Sequence, residues 1–175
     1  MTRRELGDAA TTVVAEGSEL LIERVFAAPR ELVWAAMTTA EHLAQWIGPH
    51  GTTTEVVELD VRPGGRWKWI NRYDGGEIAF LGEFLEVDPP KRLVRTTAPD
   101  MEPAGGPPAV ETITFEEVDG GTRVYWLTRF PSPEVLDYAV DSGMIKGILE
   151  QFDRLAGLLA PGSWSPAARS DVSPR

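Results

Sequence analysis

The chain has 175 residues, of which 42% are hydrophobic, and this size and composition are typical of one globular domain with its own core. It contains no cysteine, which excludes disulfides, thiolate nucleophiles and zinc–thiolate sites. The formal net charge of −10 argues against nucleic acid and anionic lipid as partners, because both would repel the chain. No apolar run is long enough for a membrane span, and the N-terminus lacks a stretch typical of a signal peptide, so we expect a cytoplasmic protein.

The first predicted elements are a strand and two short helices. Residues 1–17 are polar and show no period, so we expect them to form a flexible arm. A strand is predicted over 18–27, where apolar residues alternate. Short helices are then predicted over 29–37 and 39–46, and they are followed by a cluster of turn residues.

Strands dominate the middle of the chain. Runs rich in β-branched and aromatic residues alternate with turns rich in Gly, Pro and Asp, which is typical of antiparallel hairpins. The predicted strands cover 53–61, 66–72, 77–87, 92–97, 110–118 and 122–130. The segment 98–109 holds four Pro and two Gly, so we interpret it as a mobile loop.

The last predicted element is a long amphipathic helix over 133–160. Ser132 suits the N-cap, and Pro133 suits the first helical position. Apolar residues at 145, 148, 152, 155 and 159 repeat in steps of three and four, so they share one face. Gly143 and Gly147 each cost about 1 kcal/mol relative to Ala, so we expect a kink or a close contact there.

This order of elements predicts an α+β fold with one domain over 18–160. An antiparallel sheet of about seven strands is expected to curve around the long helix and to leave a space between helix and sheet. Residues 161–175 are of low complexity, and we expect them to form a disordered tail.

An ordered set of short motifs resembles a known family. The motifs are IERVFAAP at 22–29, VW at 33–34, WIGP at 46–49, DVRPGGR at 60–66, GEFLEVDPP at 82–90, DGGTR at 119–123, and Gly143 with the helix that follows it. Together they resemble the Bet v 1-like, START-related (SRPBCC) superfamily, and most closely its branch similar to the C-terminal domain of the activator of Hsp90 ATPase. The resemblance covers residues 19–159 and implies a helix-grip fold, in which the sheet grips the long helix and the two short helices close one end. It also implies a cavity that often binds a hydrophobic small molecule.

Two positions depart from the family pattern. Met144 stands where the family often has Trp, and Ile47 stands where it often has a second aromatic residue. We expect both changes to alter the shape of the ligand site rather than the fold.

The candidate ligand-binding residues are mostly aromatic and apolar side chains of the sheet and helix faces that should meet. They are Trp46, Trp67, Trp69, Phe80, Phe84, Glu111, Trp126, Phe130, Met144, Ile145, Ile148 and Phe152. Simple core packing and a cavity wall are both open interpretations of the aromatic residues. Gly82 shares a face with Phe80 and Phe84, and its missing side chain would leave room for a ligand.

Glu111 is the polar candidate. It lies two and four residues before Ile113 and Phe115, so all three share one face of the strand. If that face is inward, the carboxylate would be partly buried and would need a partner or a proton. Arg24 shares a face with the apolar residues of the first strand and could be that partner. The pair could be a structural ion pair, a strand end open to water, a polar contact for a ligand or an acid–base group.

Three functions remain open at this point. The first is non-enzymatic binding of a hydrophobic small molecule, with no metal or cofactor, because the two histidines lack metal-ligand spacing and no catalytic or phosphate-binding motif is present. The second is an enzyme of the polyketide cyclase or hydrolase kind that uses Glu111 and Arg24. The third is a protein–protein role such as stimulation of a chaperone ATPase, with a protein partner or a homodimer left open.

Overall fold

Nine strands form one antiparallel sheet in the computed structural model, which describes residues 3–101 and 106–160. In chain order they are β1 Arg3–Glu5, β2 Thr12–Glu16, β3 Glu19–Phe26, β4 Thr53–Leu59, β5 Arg66–Tyr73, β6 Gly76–Asp88, β7 Arg92–Pro99, β8 Ala109–Val118 and β9 Gly121–Arg129. Across the sheet they lie in the order β1-β2-β3-β9-β8-β7-β6-β5-β4. The described part of the chain also forms four helices, α1 Arg30–Thr38, α2 Ala40–Trp46, α3 Pro133–Asp141 and α4 Met144–Leu159.

The sheet has one covered face, and α4 lies against it. In β9, Val124 and Trp126 are buried, whereas the residues on either side of each are partly exposed. Successive side chains of a strand point to opposite faces, so this alternation marks the face that meets the core. Phe152 of α4 packs against Trp126 with 5.6 Å between the ring centroids. The predicted helix-grip architecture is therefore confirmed.

The expected strand count of about seven is wrong, because two further strands form at the N-terminus. There the sequence predicted a flexible arm over 1–17, but β1 and β2 extend the sheet beyond β3. Val13 pairs with Ile22 and is 1% exposed, so β2 contributes to the core. The apolar run over 13–15 is too short to show a period between its polar neighbours, and its burial comes from pairing with β3.

The expected continuous helix over 133–160 is divided into α3 and α4. Gly143 lies between them with φ of +94°, a left-handed conformation that glycine adopts without steric cost. Ser132 caps α3 as predicted, since its Oγ accepts a hydrogen bond from the Val135 backbone N–H at 3.3 Å. At Gly147 an added Cβ would lie 3.3 Å from Cγ of Pro49, so this glycine is at a close contact, as expected.

The predicted mobile loop over 98–109 overlaps regular structure at both ends, because β7 extends to Pro99 and β8 begins at Ala109. Its residues 102–105 lie outside the described residues, and so does the predicted tail over 161–175. Within 3–101 and 106–160, no helix combines the length and apolar character needed to cross a membrane.

Candidate ligand-binding site

A buried arginine–glutamate pair lies on the covered face of the sheet. Arg95 of β7 is the register partner of Glu111 of β8, so the two side chains share a face. Arg95 Nε donates to Glu111 Oε1 at 2.7 Å, and Trp126 Nε1 donates to Oε2 at 2.9 Å. The side chains of Arg95 and Glu111 are only 5% and 13% exposed. The carboxylate thus has a cationic partner and a second donor, which is what a buried charge requires.

Three tryptophans surround the guanidinium of Arg95. Its Cζ lies 4.8 Å from the ring centroid of Trp67, 5.2 Å from that of Trp69 and 5.3 Å from that of Trp126. A cation within about 6 Å of an aromatic centroid is attracted to the ring, so all three contacts stabilise the charge. We call Arg95, Glu111 and these three tryptophans the arginine cage.

The terminal nitrogens of Arg95 are the unused part of the cage. Nη1 and Nη2 make no hydrogen bond to any residue in the described part of the chain. The Arg95 side chain is only 5% exposed, so both nitrogens lie in almost complete burial. The cage therefore holds hydrogen-bond donors that no described residue uses.

The twelve predicted site residues fall into three groups. Six are core residues no more than 5% exposed: Trp46, Trp67, Trp69, Phe84, Trp126 and Phe152. Five are partly exposed and pack against that core: Phe80, Phe130, Met144, Ile145 and Ile148. The twelfth, Glu111, belongs to the arginine cage. The site residues stay a prediction, because packing alone does not distinguish a core from the wall of a ligand site.

The five partly exposed residues lie toward one end of the covered face, and we call them the apolar rim. Phe130 follows the last residue of β9, and Phe80 pairs with Pro99 at the end of β7. Met144, Ile145 and Ile148 occupy the first half of α4. The rim gives the covered face a half-exposed apolar border.

The predicted pairing of Glu111 with Arg24 is wrong. Arg24 Nη1 donates to Asp153 Oδ1 of α4 at 2.7 Å instead. Glu111 is level with Thr128 of β9, which is itself level with Leu20 of β3. Arg24 is four residues further along β3, about 13 Å at roughly 3.3 Å per residue, and this is too far for an ion pair.

The expectation that Gly82 leaves room for a ligand is also wrong. A Cβ at this position would lie 2.6 Å from Nε1 of Trp67 and would clash with the Thr96 carbonyl oxygen. Trp67 Nε1 donates to that same oxygen at 3.2 Å. Gly82 is therefore required by the close packing of β5, β6 and β7 around the cage.

Sequence reasoning missed Arg95, although one signal was present. Arg95 follows Leu93 by two residues in a predicted strand, so the two side chains share a face. An apolar residue on that face was a sign that Arg95 could be buried, and Leu93 is indeed fully buried. Its partner could not have been chosen, because that depends on how β7 and β8 align.

A second polar cluster joins α4 to the loop after α2. Arg154 Nη1 donates to the carbonyl oxygens of Gly48 and Pro49 at 2.9 and 3.1 Å and lies 3.3 Å from that of Ile47, while Nη2 donates to that of Gln45 at 3.0 Å. These carbonyls include the last ones of α2, which have no partner within the helix. Burial lowers the pKa of Arg154. We call Arg154 and the segment 45–49 the helix latch.

Two open depressions of the surface lie away from the cage. The larger, of about 600 Å³, is lined by residues of α2 and β4 with Arg72, and a smaller one lies on β2, β3 and β9. None of the twelve predicted site residues lines either depression.

Comparisons with known proteins agree with this fold. The crystal structure of protein Ms6760 from Mycobacterium smegmatis is 28% identical, with a TM-score of 0.76, and the match covers 85% of this chain and 98% of that one. A crystal structure of a protein from Rhodobacter sphaeroides is 25% identical, with a TM-score of 0.77 and coverage of 86% and 98%. A third, from Silicibacter pomeroyi, is 22% identical over 81% and 97% with a TM-score of 0.68, and it supports the fold alone. No curated protein matches the chain.

The family model described as activator of Hsp90 ATPase homolog 1-like protein matches residues 27–160. This match covers most of the chain and confirms the family resemblance that the sequence motifs predicted. The chain therefore belongs to the activator of Hsp90 ATPase homolog 1-like family.

Proposed function

We propose that this protein binds a hydrophobic small molecule between α4 and the covered face of the sheet, and that it does so without catalysis. The observation that carries the proposal is the arginine cage, in which donors without a partner among the described residues are held among aromatic rings. Ligand sites are typically apolar surfaces with a few well-placed polar groups, and the cage next to the apolar rim has this composition.

The apolar rim is the place where we expect the ligand to enter between α4 and the sheet. Met144, Ile145 and Ile148 are neither fully buried nor fully exposed, so a ligand can cover them further and gain hydrophobic free energy. Trp126 of the cage packs against Phe152 of α4, and none of the three cage tryptophans is more than 5% exposed. Binding at full depth therefore needs α4 to move slightly away from the sheet.

Glu111 does not support an acid–base role. Both of its oxygens accept hydrogen bonds within the cage, from Arg95 and from Trp126. Arg24, its expected partner in an enzyme, is engaged with Asp153. Turnover of a bound compound would reinstate the enzyme hypothesis.

A thermal-shift screen with several hundred lipophilic compounds tests the proposal. A ligand at 100 times its dissociation constant should add roughly 2.7 kcal/mol to the free energy of unfolding, which corresponds to about 5–10 °C for a domain of this size. Met144→Trp places a larger side chain in the rim and should abolish or change the set of compounds that bind. Val135→Trp, on the exposed face of α3, is the matched control and should leave that set unchanged.

Two results would contradict the proposal. One is the absence of any compound that raises the melting temperature. The other is stimulation of an Hsp90-type ATPase by excess protein without any ligand, since this would favour the activity that the family description names.

A further inference from the structure

Arg95 holds unused hydrogen-bond donors in almost complete burial. The residue as a whole is 4% exposed, and only Nε is bonded to another described residue. Nη1 and Nη2 together carry four N–H groups, and a guanidinium has no acceptor of its own. Buried donors without partners are unfavourable, so an acceptor atom placed beside them would be bound well.

The charge of the cage selects the kind of acceptor. Glu111 Oε1 lies 2.7 Å from Arg95 Nε, so the carboxylate already compensates the positive charge of Arg95. A carboxylate ligand would place a second negative group beside Glu111 and would bring a net charge into a site of low dielectric constant. A carbonyl oxygen accepts the same N–H groups without adding charge. The cage therefore favours a neutral acceptor over an anion.

The surroundings of Arg95 select the rest of the ligand. Trp67 and Trp69 lie with ring centroids 4.2 Å apart, and Trp126 packs against Phe152 on the helix side. Aromatic rings pack well against other flat rings, and they offer a large contact area with few rotatable bonds. A planar aromatic skeleton is thus the best complement to these walls.

We propose that Arg95 binds the carbonyl oxygen of an uncharged, planar aromatic ketone or quinone whose rings lie among the tryptophans. This inference rests on the proposed function and narrows it to one chemical class. Arg95 is a specificity-determining residue in this scheme, and Glu111 positions it and cancels its charge.

Three matched probes test the inference on the full-length protein. Acetonaphthone carries a neutral carbonyl, ethylnaphthalene has the same rings without an acceptor, and naphthoate carries a carboxylate. Their dissociation constants are measured by quenching of tryptophan fluorescence and by calorimetry. We expect acetonaphthone to bind about tenfold more tightly than ethylnaphthalene, since one hydrogen bond to a charged donor has about this effect. Naphthoate should bind most weakly.

A double variant separates recognition from folding. Arg95→Met together with Glu111→Gln removes both charges, so neither is left buried alone. In this variant acetonaphthone and ethylnaphthalene should bind equally. The matched control is Arg24→Met with Asp153→Asn, which removes the ion pair between β3 and α4. This variant should keep the tenfold preference for acetonaphthone over ethylnaphthalene.

The possible failures are distinguishable. If ethylnaphthalene binds the natural sequence as tightly as acetonaphthone, or if naphthoate binds best, the inference is overturned while the proposed function stands. A tenfold preference that persists in the double variant also overturns it. If none of the three probes binds, the inference is overturned, and the broader compound screen then decides whether the proposed function falls with it.

Discussion

Two arginines on the inner side of the molecule use their donors in opposite ways. In the helix latch, Arg154 directs both terminal nitrogens at backbone carbonyls of the segment 45–49. In the arginine cage, Arg95 uses Nε for Glu111 and leaves both terminal nitrogens without a partner in the described chain. The fold therefore engages the terminal nitrogens of Arg154, whereas no described residue engages those of Arg95.

The difference separates architecture from recognition. A guanidinium whose two terminal nitrogens both donate to backbone carbonyls joins two elements through the atoms that a ligand would otherwise contact. A guanidinium held by one carboxylate and by aromatic rings is fixed in place while its fork of donors stays available. Substitutions at the two arginines and at groups near them can separate the two roles.

Replacing Arg95 by Met should have the largest effect on stability. It leaves the Glu111 carboxylate buried without a cation, and removing one partner of a buried pair costs about 3–5 kcal/mol of the free energy of unfolding. Urea unfolding monitored by tryptophan fluorescence measures this loss. The double variant Arg95→Met/Glu111→Gln is the control and should recover most of it. A loss below about 1 kcal/mol in the single variant would mean that the pair is solvated.

Replacing Arg154 by Met should cost less, about 2 kcal/mol, because carbonyls of the segment 45–49 lose their donor near the surface. No second substitution should restore this loss, since the partners are backbone groups. The same urea titration measures it. The binding preference for acetonaphthone should persist in this variant, and its disappearance would contradict the division between latch and cage.

His42 of α2 should make the latch side of the molecule sensitive to acid. Burial lowers its pKa below the ordinary value of 6.5, and the neighbouring Glu41 carboxylate opposes part of this shift. As the pH falls below about 6.5, the unfolded chain takes up a proton that the folded chain does not. His42 therefore leaves stability intact above this pH and lowers it below, with a slope of at most about 1.4 kcal/mol per pH unit.

Urea unfolding at a series of pH values between about 7 and 5 checks this prediction. The slope of stability against pH should be reduced in His42→Asn. An unchanged slope in the variant would assign the acid sensitivity to other groups.

Two glycines of α4 should give the smallest and most local effects. Gly157→Ala meets no atom within 4 Å and should stabilise the helix by about 0.5–1 kcal/mol. Gly147→Ala gains the same helix propensity, but its Cβ would lie 3.3 Å from Cγ of Pro49 beside the latch. It should therefore stabilise less than Gly157→Ala or not at all. Thermal unfolding of both variants measures the difference. Equal stabilisation would show that the segment 45–49 shifts without cost to accommodate the added methyl group.

Much of the fold was predictable from local patterns. The alternation of Trp67 and Trp69 in β5 placed both on the covered face, and the helical spacing of Ile148, Phe152 and Leu155 placed those residues against it, with Ile148 at its half-exposed border. The motifs predicted the family, which the comparison confirms. The strands β1 and β2 were not predicted, because so short a run as 13–15 becomes a strand only where β3 offers an edge to pair with.

Local patterns in the sequence were enough to predict most of the elements and their apolar faces, because periodicity, caps and turn residues act over a few positions. They did not determine the site. Whether Glu111 meets Arg24 or Arg95 depends on the register of strands that are joined by long connections, and such connections allow many alignments. Arg95 lies opposite Glu111 among three tryptophans because β5, β7, β8 and β9 are aligned together, and this alignment is a property of the whole sheet.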